Sequence, residues 1–113
     1  MQLELKRQED TLTAYLIGEL DHHGASEVRD RIDTAVLQQR CRRLILNFSG
    51  LNFMDSSGIG LIMGRYRLMT SLGGTLTVEG ASGRLEAVIR LAGLEKLPIW
   101  GQTERKSTYE TTQ

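Results

Sequence analysis

Leu44-Ile45-Leu46-Asn47-Phe48-Ser49-Gly50-Leu51-Asn52-Phe53-Met54-Asp55-Ser56-Ser57-Gly58 is the stretch from which the rest of the chain can be ordered. Leu44 to Phe48 is an apolar run of the length of a buried central strand. Ser49-Gly50-Leu51-Asn52 carries turn chemistry. At Phe53-Met54-Asp55-Ser56-Ser57-Gly58 a helix opens, because Ile59, Ile62, Met63, Tyr66 and Met69 follow at three- and four-residue spacing and Gly73-Gly74 ends the run. An apolar strand feeding an amphipathic helix is half of a βαβ crossover, the connection that sets strands parallel in one sheet.

Working outward, Leu3 and Leu5, then Leu12, Ala14, Leu16 and Gly18, alternate on either side of Glu9-Asp10 and predict an antiparallel β-hairpin. Asp21-His22-His23-Gly24-Ala25-Ser26 reads as a polar junction. Ala25, Val28, Ile32, Ala35 and Val36 then share one face of a helix from about Ala25 to Gln39. Beyond Gly74, Thr75 to Val78 predicts a strand. Ser82 is a cap for a helix carrying Leu85, Val88, Ile89 and Ala92, and Gly93 stops it. Leu97-Pro98-Ile99-Trp100 predicts a last extended piece. The expected order is β-β-α-β-α-β-α-β. That is an α/β fold: a four- to five-stranded mixed sheet with an N-terminal antiparallel hairpin and helices mainly on one face.

The chain has 113 residues, with 14 basic and 14 acidic side chains, which is the size of one domain. Order is expected over about residues 2–101, with a tail from 102 to 113 that is weakly helical or frayed. Hydrophobic residues at 40% and charged ones at 25% are ordinary for a globular protein and exclude a disordered or disulfide-scaffold class. Charge neutrality argues against nucleic acid as a partner. One cysteine, Cys41, and an N-terminus without an apolar leader point to a reducing, cytoplasmic setting. The apolar stretch at Ile59 to Met63 is broken by glycine and far shorter than the ~20 residues that cross a bilayer, so no membrane partner is expected.

The chemistry concentrates where Asp55-Ser56-Ser57-Gly58 turns from strand to helix, since unpaired N–H groups and the positive helix end gather there. One reading is purely local: Asp55 or Ser56 caps the first turn, while Gly60 and Gly64 let a neighbouring element approach. The other is a hydroxyl held out at a helix start for a kinase. Catalytic templates fail on the same residues. A nucleophile elbow needs glycine two residues before the serine, where Met54 and Asp55 stand. Gly58, Gly60 and Gly64 miss the dinucleotide spacing by one residue, and no phosphate-loop lysine follows. His22 and His23 are adjacent and without further ligands, which argues against a metal. Neither an enzyme nor a cofactor is expected.

Gly18-Glu19-Leu20-Asp21-His22-His23, Leu46-Asn47, Phe53-Met54-Asp55-Ser56-Ser57-Gly58-Ile59-Gly60, Met63-Gly64-Arg65-Tyr66 and Gly73-Gly74 together closely resemble the anti-sigma-factor antagonists of the STAS domain family, its sporulation members most of all. The resemblance runs from about Leu3 to Trp100. It implies that Ser57, the second serine of Asp-Ser-Ser-Gly, accepts a phosphate. It further implies a partner switch, in which the bare protein binds a dimeric, ATP-binding anti-sigma factor serine kinase and frees the sigma factor, while phosphorylation releases it. A metal-dependent serine phosphatase would reset the switch, and the free protein would be a monomer. Two other readings compete: an antagonist serving a general-stress sigma factor, and a STAS subunit of a lipid-transport complex that is never phosphorylated.

The expected partner-binding residues are Asp21, His22, His23, Asp55, Ser56, Ser57, Gly58, Ile59 and Arg65. A phosphoserine carries about −1.5 to −2 charges against roughly +0.5 at a helix start. Asp55 lies two residues away, and no arginine lies between Leu44 and Gly64 to offset it. Phosphorylation is therefore expected to spoil an interface by repulsion, bulk and desolvation while leaving the fold in place.

Overall fold

The computed structural model describes residues 1–101, so the expectation for the tail lies outside the described residues. Strands β1 (Gln2–Gln8) and β2 (Thr11–Leu20) form the antiparallel hairpin, paired from Gln2↔Ile17 to Gln8↔Thr11. Helix α1 (His22–Gln39) leads to β3 (Arg43–Met54), helix α2 (Ser56–Ser71) to β4 (Thr75–Glu79), and helix α3 (Gly83–Leu91) to a single 3-10 turn at Leu94–Lys96. The sheet order is β1-β2-β3-β4, with β2, β3 and β4 mutually parallel.

Two successive crossovers that step the same way along a sheet with the same right-handed sense deliver α1 and α2 to one face. Burial follows from this. Leu12, Ala14 and Leu16 of β2, Leu44, Leu46 and Phe48 of β3, and Leu76 and Val78 of β4 are buried against Val28, Ile32 and Val36 of α1 and Ile62 and Met69 of α2. Thr13, Tyr15, Ile45, Asn47 and Thr77, one residue out of phase, stay half-buried on the other face.

The structure corrects the sequence reading at four places. Ser49-Gly50-Leu51-Asn52 is no turn: β3 runs on to Met54, and its polar residues mark irregularities in which the pairing jumps from Tyr15↔Asn47 to Ile17↔Gly50 and from Gly18↔Leu51 to Glu19↔Phe53. Asn47 Oδ1 accepts from the Ser49 N–H and hydroxyl at 3.0 and 2.6 Å, and Gly50 leaves room for the Leu16 carbonyl and the Ile17 side chain. Turn-type residues inside a strand signal a bulge as readily as a loop. Next, α1 starts at His22 rather than Ala25, because Asp21 caps it. On α2 the inward residues are Gly58, Leu61, Ile62, Arg65 and Met69, while Ile59, Met63 and Tyr66 are only half-buried. Finally, Leu97 to Trp100 makes no fifth strand. Trp100 forms one bridge to Val78, and Pro98, without an N–H, cannot extend a ladder.

Candidate functional site

The two irregularities in β3 have a consequence at its far end. They absorb two extra residues of β3 and bring Leu20 level with Met54, so that Asp21 and Asp55 leave neighbouring strands side by side, with the Asp55 N–H donating to the Leu20 carbonyl at 3.2 Å. Each aspartate then caps a helix. Asp21 Oδ1 accepts from the N–H groups of His23 and Gly24 at 3.0 and 3.1 Å, and Asp55 Oδ1 accepts from the Ser57 N–H at 2.8 Å. Leu20-Asp21-His22-His23-Gly24 and Met54-Asp55-Ser56-Ser57-Gly58 are thus two copies of one local form, apolar strand end, aspartate cap, two polar residues and glycine. Two positive helix ends stand together, each satisfied by a carboxylate.

The bond from Gly24 holds the Asp21 carboxyl below its ordinary value of 3.8, with the His23 N–H and the His23 ring adding to the effect. The sign follows directly. A depressed carboxylate stabilises the folded chain above its unfolded pKa and loses that contribution as pH falls through the lower, folded value. Acidification below about pH 4 should therefore loosen the first turn of α1, seen as faster exchange of the Gly24 amide. In Asp21→Asn that step should be missing.

Between α1 and α2 runs an open groove of about 410 Å³, lined by His22, Ala25, Ser26 and Arg29 on one side and by Ser57, Gly60, Leu61, Gly64 and Arg65 on the other. Both sets recur at three- and four-residue spacing, so each is one helix face. Ser57 sits half-buried at the second position of α2, at the mouth of the groove, while Ser56 is exposed. His22 and His23 are both exposed, and only His22 lines the groove; their rings meet edge to face at 6.0 Å. Ile59 is half-buried, packed against the core.

Gly58 is the glycine that packing demands. A Cβ there would fall 2.1 Å from Met54 Cγ and 3.2 Å from Leu20 Cδ2. Gly60 and Gly64, expected to admit a neighbouring element, have nothing within 4 Å of the space a Cβ would take; they leave the groove open instead. Neither glycine has a left-handed backbone, so neither is needed for the conformation of α2. Gly60→Ala should accordingly raise the unfolding free energy by about 1 kcal/mol, the helix-interior difference between the two residues, as read from urea denaturation.

Arg65 departs from the expectation of a partner-facing arginine. It is 7% exposed, and its Nε lies 2.9 Å from Asp33 Oδ1 of α1, an ion-pair distance without the alignment of a hydrogen bond. Burial pushes the Asp33 carboxyl up and the Arg65 guanidinium down, and the attraction between them opposes both shifts. Arg65 is thus first a strut between the helices that frame the groove. Arg29, by contrast, was invisible in the sequence around Ser57, being 28 residues away along the chain. Only the parallel placement of α1 and α2 brings it to the same groove.

A helix-start serine beside a capping aspartate, on the helix side of a mixed four-stranded sheet, agrees with a family match over residues 2–112 to the STAS domain. The chain belongs to the STAS domain family. It is 37% identical over 101 residues to the anti-sigma F factor antagonist of Paenibacillus polymyxa, covering 88% of this chain and 86% of that one. It is 39% identical to the antagonist of the same name from Lysinibacillus sphaericus, covering 82% and 79%. The anti-sigma-B factor antagonist of Bacillus subtilis is 26% identical, covering 86% and 87%. Among solved structures, the anti-sigma factor antagonist SpoIIAA in its unphosphorylated form superposes with a TM-score of 0.72 at 30% identity, covering 98% of this chain and all of that one. The phosphorylated form of the Bacillus cell fate determinant SpoIIAA gives 0.72 at 32%, covering 96% and 99%.

Proposed function

We propose that this chain is an anti-sigma factor antagonist whose hold on its partner is switched by phosphorylation of Ser57. The bare protein binds an anti-sigma factor that is also an ATP-binding serine kinase and so frees the sigma factor. The phosphorylated protein lets go, and a metal-dependent serine phosphatase restores it. The chain acts by binding, without a cofactor or catalytic step of its own, and works in the cytoplasm. The carrying observation is Ser57 itself, capped through its N–H by Asp55 and facing an open groove rather than the core. A protein solved both with and without phosphate shares this fold over nearly its whole length, which supports the reading. A helix start is also where a carboxylate already occupies the favourable field, so a second, larger negative charge has little left to gain there.

The partner surface is the groove mouth and its rim: Asp21, His22 and His23 from the start of α1, and Asp55, Ser56, Ser57 and Ile59 from the start of α2, while Gly58, expected among them, is buried against Met54 and only shapes the turn. Arg65 contributes by fixing the distance between the two helices. Sigma F is the favoured target over a general-stress sigma factor, because the anti-sigma F factor antagonists are the more similar relatives, at 37 and 39% against 26%.

The test is to incubate the protein with ATP and an anti-sigma F kinase and measure intact mass. A gain of about 80 Da, one phosphoryl group, mapped to Ser57 is the expected result. No gain with active kinase, or a gain mapped to Ser56 or elsewhere, overturns the proposal.

A further inference from the structure

The sequence around Ser57 offers no cation to a phosphate, but the fold does. His22, Ser26 and Arg29 of α1 line the same groove as Ser57, and the glycines at 60 and 64 keep the space between them clear. Where it now lies the Arg29 charge acts on Asp33 and Arg65; because side chains on an α-helix lean towards its N-terminus, a change of rotamer would direct it back along α1 towards the end at which Ser57 stands. Its present partner is the adjacent Asp30, at 3.1 Å with side chains 50 and 70% exposed, an arrangement worth little and easily given up. Arg65, the other arginine on the groove, is committed to Asp33.

From this placement we infer that the groove is a seat for the phosphoryl group of phosphorylated Ser57, with Arg29 as its main cation and His22 as a second. The inference rests on the proposed phosphorylation of Ser57. It changes what the modification does. A phosphate that merely projected would act by repelling the partner; a seated phosphate also withdraws Arg29 from the surface and fills the groove from within. A guanidinium and a phosphate dianion meet through paired N–H···O bonds, which the planar arginine head makes and an ammonium does not. No backbone need move, since the open space is already there.

The charges around the seat are mixed. From α1 come Asp21, His22, His23, Arg29, Asp30 and Asp33, and from α2 come Asp55 and Arg65. The carboxylates, Asp55 nearest in sequence, raise the second ionisation of a phosphoserine, whereas Arg29 and a protonated His22 lower it. The contribution of Arg29 is therefore read as a difference between variants.

The experiment installs phosphoserine at position 57 during translation, so that no kinase is involved, and follows the ³¹P resonance against pH. Arg29→Gln should raise the phosphate's apparent pKa by about half a unit relative to the otherwise unchanged phosphoprotein. Arg31→Gln, the same charge change two residues along α1 and off this groove, should leave it in place. Coincident ³¹P curves for the Arg29 and Arg31 variants would overturn the seat, as would equal shifts for both. Because the phosphate is installed directly, the result is independent of whether a kinase modifies Ser57, which the mass measurement decides separately.

Discussion

Ser57→Ala is expected to bind the anti-sigma kinase about as well as the native chain and to be refractory to phosphorylation, whereas Ser57→Asp should bind about 30-fold more weakly. The asymmetry comes from charge. Alanine removes a small hydroxyl from a half-buried position and leaves the Asp55 cap intact, because that cap uses the Ser57 N–H rather than its side chain. Aspartate keeps the same N–H but places a second carboxylate two residues from the first, at a rim that a partner must desolvate. Burying an uncompensated charge in an interface costs on the order of 2 kcal/mol or more, which is the factor given above. Titration calorimetry on the three proteins, with amide NMR to verify that the fold is retained, checks this. Equal affinities for the alanine and aspartate variants would count against a charge-operated switch.

Arg65→Ala should lower the unfolding free energy by about 2 kcal/mol, measured by urea denaturation. The guanidinium side chain is 9% exposed and its partner's 28%, so truncation leaves Asp33 at a partly buried site facing a void. A fully buried pair would lose about 3–5 kcal/mol, and the exposure of Asp33 discounts that figure. The pair itself is not the source of net stability, because burial disfavours both charges, as the opposite shifts of Asp33 and Arg65 indicate. Replacing both partners, Asp33→Leu with Arg65→Met, is accordingly expected to recover most of the loss. If the single and double variants unfold at the same urea concentration, the ion pair is not what couples α1 to α2. If the double variant is stable but binds the partner poorly, the strut serves to space the groove.

Much of this was legible because the signals are local. The alternation of Leu12, Ala14 and Leu16 gives a strand with one buried face, and Gly73-Gly74 ends α2 because Gly73 takes a left-handed backbone there. That Asp55 or Ser56 caps α2 follows from residues beside the helix start, and the Ser57 N–H bond falls to Asp55; Ser57 as phosphate acceptor comes from the family resemblance. The errors are of another kind. Ser49-Gly50-Leu51-Asn52 has the chemistry of a turn, and only pairing with β2 makes it a pair of bulges. Arg65 looks like a partner-facing arginine until α1 presents Asp33 to it. Gly60 and Gly64 look like packing glycines until their surroundings prove empty.

The sequence by itself determined the order of the four paired strands and three helices and put a cap at the start of α2, because periodicity and capping act over a few residues. Tertiary structure alone decided that the two capped ends stand together. It set Arg29 and His22 across a groove from Ser57 and consumed Arg65 in a buried pair. Those outcomes depend on strand register and crossover hand, through which residues far apart in the chain become neighbours, and no short window of sequence encodes that distance.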